Sequence, residues 1–281
     1  MSLTGITEYL RPATLEEALA LLGDRAIAVA GGTDVIRHPH VGVDTLVDLG
    51  ALPLRYLRQD RGFAVGATAT LTDMMEHPGL AAHLDGVVAG MLQGVGSPLL
   101  RNAATIGGHL ARGRYSDIVP VLLTLDATVT LFDGNEHTIP LAAYYAEGRH
   151  RSRSLITEVG IPASGADTAA AFLKFTRTSF DFALLNCAVR VRLGREEEVA
   201  ECRIAVGETP GLGAPVEPAA ACLLDGPLDN DRIAAAAAIA AEAIPAQDDQ
   251  RASADYRRAL CRVGVRRCLA EARRRLEERR A

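Results

Sequence analysis

Ala30-Gly-Gly-Thr-Asp34 and Thr105-Ile-Gly-Gly-His109 are the two stretches that decide the fold of this chain. Each combines two glycines with a threonine, and the first directly follows an apolar run that is typical of a strand, Ala26 to Ala30. Glycine lets the backbone turn sharply and lets a bulky phosphate approach the backbone N–H groups. Two such loops from separate segments are therefore predicted to hold a pyrophosphate.

Other nucleotide-binding motifs do not fit these loops. No Gly-Lys-Ser/Thr follows either of them, which excludes a Walker loop, and neither has the G-x-G-x-x-G spacing of a dinucleotide fingerprint. A single Gly-Gly pair is more typical of a structural turn than of a phosphate site, so the prediction depends on the two occurring together.

Helices and strands alternate around the two loops. Thr14 to Glu17 forms a predicted capping box at the start of a helix, and Gly23 is predicted to end that helix in a left-handed conformation. A helix is also predicted from Leu80 to Met91. The last third of the chain contains several strand candidates, followed by two helices, of which the second runs from Ser253 to Arg280.

Composition places the chain among ordinary globular proteins. Of its 281 residues 48% are hydrophobic and 23% charged, which excludes a disordered chain and a collagen. No apolar run reaches 18 residues, and no export signal is recognisable at the start. A net charge of −5 and an aromatic content of 4% argue against nucleic acid as the main partner.

Cysteine and histidine spacing gives no metal site. The five cysteines contain no C-x-x-C pair, so a zinc site or an iron–sulfur cluster held by this chain alone is not expected. Reduced, buried thiols and a cytoplasmic location are predicted instead. His38-Pro-His40 offers two imidazoles, which are too few ligands for a metal ion.

Taken in order, several motifs resemble one family. The chain is similar over essentially its whole length to the medium, FAD-binding subunit of the molybdenum hydroxylases, which include aerobic carbon monoxide dehydrogenase and xanthine dehydrogenase. The residues that carry the resemblance are Tyr9 to Leu19, Ala30 to Val35, Gly96 to Asn102, Thr105 to Ala111, Ser116-Asp117 with Pro120, Asp181 to Leu184, and Tyr256 to Arg258.

The resemblance implies an α+β architecture. It consists of an FAD-binding fold of two N-terminal α/β subdomains, residues 1–53 and 54–165. A C-terminal domain of antiparallel strands and helices follows, residues 166–281.

The resemblance also implies the cofactor and the residues that bind it. Both glycine loops would hold the FAD pyrophosphate through Ala30, Gly31, Gly32, Thr33, Asp34 and Val35 and through Thr105, Gly107, Gly108 and His109. Neither a catalytic residue nor a metal ligand is assigned to this chain.

Four further positions match family residues near the flavin. Val95 would pack on the cofactor, and Asp117 would make a polar contact with the flavin or its ribityl chain. The main chain at Ile156 would lie near the adenine or the flavin. Lys174 would lie near the isoalloxazine, where a cation stabilises the negative charge of the reduced ring. Two structural alternatives stay open: Asp117 as a helix cap and Lys174 as a surface lysine.

The chain departs from the family pattern after the second loop. His109 stands where the family usually has Asn, and Ala111 to Ser116 is more basic than the usual small-residue run. These arginines would either contact phosphate or indicate a cofactor site that has drifted.

The function implied is that of an electron-transfer subunit. A large molybdopterin-binding partner would hydroxylate the substrate, and electrons would pass through the [2Fe–2S] clusters of a small partner to this FAD and then to an external acceptor. Two alternatives are a stand-alone FAD-dependent oxidoreductase and a degenerate scaffold that binds no flavin.

Overall fold

A computed structural model describes residues 5–37 and 41–280, without the side chain of Arg151. The described chain divides into two compact units. Within the described residues the first unit comprises 5–37, 41–77, 97–112 and 128–161, and the second comprises 78–96, 113–127 and 162–280. His38-Pro-His40 lies outside the described residues. The subdomain boundaries after residues 53 and 165 stay a prediction.

In the part of the chain that the structure describes, the strands form three sheets. In chain order they are β1 (Glu8–Leu10), β2 (Ala26–Val29), β3 (Thr45–Asp48), β4 (Leu57–Gln59), β5 (Gly62–Gly66), β6 (Thr128–Phe132), β7 (Glu136–Pro140), β8 (Leu155–Pro162), β9 (Thr168–Phe175), β10 (Leu185–Leu193), β11 (Val199–Gly207) and β12 (Ala214–Pro215).

The helices lie between and after these strands. In chain order they are α1 (Leu15–Leu21), α2 (Leu71–Glu76), α3 (Pro78–Ala82), α4 (Val87–Gln93), α5 (Pro98–Ala103), α6 (Ile106–Arg112), α7 (Ile118–Thr124), α8 (Leu141–Ala146), α9 (Glu217–Ala221), α10 (Asn230–Ala243) and α11 (Ala254–Glu278).

The first unit contains two of the sheets. One is a parallel sheet of order β1-β3-β2. The other has the order β4-β5-β8-β6-β7, with β6 antiparallel to both of its neighbours. Ala18 on α1 and Val47 on β3 are fully buried in a shared apolar core. The glycine stretch at residue 30 follows β2 directly, as the sequence predicts.

Helix α1 begins with side-chain caps and ends without a glycine. The Thr14 hydroxyl accepts from the Glu17 amide, while the Glu17 carboxylate accepts from the amide of Ala13 rather than that of Thr14. The helix ends at Leu21, and the C-cap residue Leu22 has an extended backbone. Gly23 instead forms a bridge with Ala26. The prediction of a left-handed glycine stop was therefore wrong, because an extended residue already ends the helix.

The second unit is an antiparallel sheet covered by helices. The sheet has the order β12-β11-β10-β9, and α10 and α11 pack with it in one apolar core. Neighbouring side chains of a strand point to opposite faces. Cys187 of β10 faces this core, and Asn186 therefore faces the opposite side, where α7 packs.

The helix predicted from Leu80 to Met91 is two helices. Helix α3 ends at Ala82 and α4 begins at Val87. Between them Leu84, Asp85 and Gly86 all have positive φ angles of 48°, 57° and 74°. Such left-handed residues cannot continue an α-helix, so the apolar periodicity does not mark one continuous element.

Candidate functional site

The first glycine segment, Ala30 to Val35, is an open turn after β2. Gly32 has a φ of +68°, a conformation that favours glycine, and its carbonyl accepts from the amide of Ile36 at 3.0 Å. A Cβ on Gly31 would overlap the carbonyl of Ala103, so this glycine is required by close packing. The amides of Gly32, Thr33 and Val35 donate no hydrogen bond to any described residue. We call these three donors the open amides.

The second glycine segment, Thr105 to His109, is not a loop. Helix α6 begins at Ile106, and the glycines lie in its first turn. The amide of Gly107 donates to the carbonyl of Ala67 at 2.9 Å, and that of Gly108 to the Thr105 hydroxyl at 3.2 Å. The prediction of two equivalent loops was therefore wrong, because the second segment uses its amides within the chain.

Packing explains why Gly107 is a glycine. A Cβ at this position would lie 2.8 Å from the carbonyl oxygen of Ala67 and 2.9 Å from its Cβ. Helix α6 consequently approaches the backbone after β5 more closely than any side chain at residue 107 would allow.

An ion pair joins the two glycine segments. The Arg112 guanidinium, at the end of α6, lies 2.5 Å from the carboxylate of Asp34 in the first segment. His109 lies three residues before Arg112 on α6, and its side chain is half-buried. Its pKa is lowered to about 4, chiefly by burial and also by the charge of Arg112, although Asp34 opposes the shift. The imidazole is therefore neutral at pH 7.

The second unit holds a group of polar side chains that we call the Asp117 cluster: Gly94, Asp117, Lys174 and Asn186. The Lys174 ammonium donates to Asp117 Oδ2 at 2.6 Å and to the carbonyl of Gly94 at 3.0 Å. Asn186 Nδ2 donates to Asp117 Oδ1 at 2.8 Å. The side chains of Asp117 and Lys174 are only 8% and 12% exposed, so the pair is nearly buried.

The two structural alternatives for this cluster were wrong. Asp117 occupies the N-cap position of α7, but its side chain makes no capping hydrogen bond. The Ser116 hydroxyl instead accepts from the amide of Val119 at 3.4 Å. Lys174 is not a surface lysine, because its ammonium is held by Asp117 and Gly94.

Glu208 supports the segment that carries Asp117. Its Oε1 accepts from the amide of Ser116 at 3.1 Å. Burial raises the pKa of Glu208 to about 7, with a smaller contribution from the charge of Asp117, while the Ser116 amide acts in the opposite direction. The residue also has a φ of +63°, which is uncommon outside glycine.

Arg257, within the Tyr256-Arg-Arg258 motif, is buried and hydrogen-bonds to several segments of the second unit. Its Nε donates to the carbonyls of Leu184 and Glu208, and its guanidinium forms two hydrogen bonds to the carboxylate of Asp249. The side chain is almost fully buried. Arg257 therefore joins the residue before β10 to the residue after β11, which is a structural role.

Two further residues assigned from the sequence are apolar and buried, and Val95 directly follows Gly94 of the Asp117 cluster. Val95 is buried after α4, and Ile156 is buried in β8, where it pairs with Leu131. The structure thus brings the first glycine segment to α6 in one unit and Asp117 to Lys174 in the other.

Sequence reasoning missed Arg112, Asn186 and Glu208 as individual partners. Asn186 had a visible signal, since it is a polar residue inside the apolar run of β10. Lys174 had a stronger one, because it is the only lysine in the chain. Every other permanent side-chain cation is an arginine, and lysine differs from arginine in carrying a compact ammonium.

Comparison with known proteins identifies the family. Residues 4–164 match the family described as FAD binding domain in molybdopterin dehydrogenase, and residues 170–272 match CO dehydrogenase flavoprotein C-terminal domain. The chain belongs to this flavoprotein family. The recognition made from its motifs, the α+β fold class and FAD as the cofactor are all confirmed.

Two curated relatives span nearly the whole chain. The 6-hydroxypseudooxynicotine dehydrogenase complex subunit alpha of Paenarthrobacter nicotinovorans is 30% identical over 94% of this chain and 94% of its own length. The carbon monoxide dehydrogenase medium chain of Hydrogenophaga pseudoflava is 28% identical over 93% of this chain and 95% of its own.

A solved structure is also similar to this chain over nearly its whole length. A chain of carbon monoxide dehydrogenase from Hydrogenophaga pseudoflava superimposes with a TM-score of 0.88 and 28% identity. The match covers 96% of this chain and 98% of the other. These similarities place this protein among the FAD-containing oxidoreductase subunits of the molybdenum hydroxylase family.

The first glycine segment of this flavoprotein fits an FAD. The cofactor carries an anionic pyrophosphate, and backbone N–H groups in a turn are suitable donors to it. The open amides supply such donors on a backbone without bulky side chains at residues 31 and 32.

The described residues offer no comparable metal site. No group of three or more His, Cys, Asp or Glu in residues 5–37 and 41–280 is placed to hold a metal ion. Within the same ranges, no helix combines the length and the apolarity that crossing a membrane requires.

Proposed function

We propose that this chain is the electron-transfer subunit of a multi-subunit molybdenum hydroxylase. FAD, when bound, supplies two-electron and one-electron chemistry in one group. It would receive electrons from the [2Fe–2S] clusters of a partner chain and deliver them to an external acceptor. The observation that carries the proposal is the set of open amides in the first glycine segment of a family whose cofactor is FAD.

The pyrophosphate would be held chiefly by the first glycine segment. Its open amides point to no competing acceptor among the described residues. The second segment would contribute less through its backbone, because the amides of Gly107 and Gly108 are already used. The Thr105 hydroxyl accepts from Gly108 and keeps its own hydrogen for a phosphate oxygen.

The Asp117 cluster would supply polar contacts to the cofactor. Lys174 donates two hydrogen bonds within the chain and has a third ammonium hydrogen. A cation held by Asp117 would stabilise negative charge on the reduced flavin.

The partners are proposed from the relatives. One is named as the alpha subunit of a dehydrogenase complex and another as the medium chain of carbon monoxide dehydrogenase. A molybdopterin-binding large chain and a [2Fe–2S] small chain would accordingly complete the assembly in the cytoplasm. The large chain would choose the substrate, and this chain would hold neither iron nor molybdenum.

Expression of the full chain alone and with candidate partners tests this proposal. Alone, it should bind one FAD, contain no stoichiometric iron or molybdenum, and hydroxylate none of the substrates tested. With both partners, substrate oxidation should reduce the FAD. Substrate turnover by the metal-free chain would instead favour the stand-alone oxidoreductase.

The only lysine of the chain offers a test of the site. An amine-reactive reagent can modify Lys174 and the N-terminus, and peptide mapping separates the two. FAD should slow labelling of Lys174 and leave labelling of the N-terminus unchanged. Equal protection of both amines, or of neither, would remove Lys174 from the proposed cofactor contacts.

A further inference from the structure

Asp34 places a negative charge in the first glycine segment. Its carboxylate belongs to the same turn as the open amides of Gly32, Thr33 and Val35. A carboxylate close to a diphosphate repels it, and the repulsion is strong where water is partly excluded. A turn that binds FAD therefore needs this charge compensated.

Arg112 provides the compensation from a different part of the chain. Its guanidinium lies 2.5 Å from the Asp34 carboxylate, and the two side chains are 21% and 37% exposed. Arg112 is the last residue of α6, the helix that begins with the second glycine segment. The ion pair therefore connects the two glycine segments as well as neutralising the acidic one.

His109 does not replace this charge. It lies on the same helix, but burial and the nearby guanidinium lower its pKa and keep its imidazole neutral at pH 7. Removal of Arg112 would thus leave the Asp34 carboxylate without the guanidinium that the structure places on it.

We propose that Arg112 is a positioning residue for FAD binding: by neutralising Asp34, it allows the open amides of the first glycine segment to bind a diphosphate. This inference rests on the proposed function, since it concerns the same cofactor. It assigns the basic residue that follows the second glycine segment a defined task, and it makes the acidic and basic residues a matched pair.

Four variants of the flavin-stripped full chain test the pairing: Arg112→Gln, Asp34→Asn, the double variant, and Arg112→Lys. The dissociation constant for FAD is measured by quenching of flavin fluorescence at low and high salt. Arg112→Gln should weaken FAD binding about tenfold or more, because the Asp34 carboxylate loses the guanidinium that offsets its repulsion of the diphosphate. Asp34→Asn should bind FAD at least as tightly as the wild type.

Rescue and salt dependence separate electrostatics from structural damage. The double variant should recover most of the lost affinity, and Arg112→Lys should bind nearly as the wild type does. The defect of Arg112→Gln should shrink at high salt, where exposed charges are screened.

The outcomes distinguish this inference from the proposed function. If the wild type binds FAD but Arg112→Gln binds it equally well, the inference is overturned and the proposed function is unaffected. A double variant as weak as Arg112→Gln also overturns it, because Arg112 would then act otherwise than through Asp34. If the wild type binds no FAD, the proposed function itself fails.

Discussion

The first glycine segment and the Asp117 cluster are built in opposite ways. In the glycine segment the useful groups are backbone N–H donors, and Gly31 and Gly32 carry no side chain. In the Asp117 cluster the useful groups are a carboxylate, an ammonium and an amide, each held by the others. The glycine segment depends on residues without a side chain, which leave the backbone accessible. The Asp117 cluster depends on each of its polar side chains being present.

This difference determines how each region responds to substitution. An added Cβ in a glycine segment meets nearby backbone or forces an unfavourable φ, so damage is local and steric. A removed charge in the Asp117 cluster leaves a buried partner uncompensated, so the damage is electrostatic. Single substitutions in each region can therefore measure the contrast.

Lys174→Met should have the largest effect. It removes the ammonium from a pair whose side chains are 8% and 12% exposed, and it leaves the Asp117 carboxylate with Asn186 as a neutral partner. Breaking one side of a buried ion pair costs about 3–5 kcal/mol. Chemical denaturation of the flavin-stripped chain measures the loss.

The double variant Lys174→Met/Asp117→Asn is the matched control. It removes both charges and should be more stable than Lys174→Met alone, because no buried charge is left unpaired. Additive losses in the double variant would show that the two side chains act independently, which would contradict the description of the cluster as one unit.

Gly107→Val should have the next largest effect, and its origin is steric. The added Cβ would lie 2.8 Å from a backbone carbonyl that cannot move aside easily, and the larger branched side chain overpacks further. We expect a loss of about 3 kcal/mol or more in the free energy of unfolding.

Gly90→Ala is the control for this experiment. Gly90 lies inside α4, where an added Cβ meets nothing within 4 Å. Alanine there should preserve or increase stability by up to about 1 kcal/mol, because it favours the helix. A Gly107→Val protein as stable as the wild type would contradict the close approach of α6 to Ala67.

The sequence predicted the first glycine segment better than the Asp117 cluster. The turn at Gly32 was predictable because a strand followed by Gly-Gly favours a local left-handed residue. Helix α6 was not, because glycine is a poor helix former, and the carbonyls that accept from its first amides belong to Ala67 and Ala69.

The Asp117 cluster required tertiary information. Asp117 and Lys174 were assigned separately, through family resemblance, although 57 residues separate them. Nothing in either local sequence indicates that their side chains meet, since strand pairing and helix packing create the contact. Asn186 joins them from the neighbouring strand β10, and its role follows from the sheet register opposite Lys174.

Glu208→Gln should reveal how Glu208, which holds the segment carrying Asp117, makes the free energy of unfolding depend on pH. Burial raises the pKa of Glu208 from 4.5 to about 7 in the folded chain. Between these values the folded state retains a proton that the unfolded state has lost, so this group's stabilising contribution falls as pH rises towards 7. Glutamine should abolish that fall and preserve the acceptor for the Ser116 amide.

The measurement is urea denaturation of both proteins at pH 5 and pH 8. The variant should gain stability relative to the wild type at pH 8, by at most about 3 kcal/mol, and differ little at pH 5. Parallel pH profiles for the two proteins would mean that Glu208 titrates normally and does not couple the buried cluster to pH.

Gly32→Ala should have the smallest effect on the fold and the clearest effect on the backbone-built site. At a φ of +68° a non-glycine residue costs about 1–2 kcal/mol, and the nearest neighbours of the added Cβ are side-chain atoms of Ile36 and Val29. Gly32→Asn should cost less, because asparagine tolerates the left-handed region. If the open amides hold the diphosphate, FAD affinity should follow the same order: wild type, then asparagine, then alanine. Calorimetric titration of FAD into each stripped protein measures this order. An alanine variant that relaxes to negative φ yet keeps full affinity would mean that side chains, rather than the turn's amides, hold the cofactor, and the contrast between the two regions would not hold.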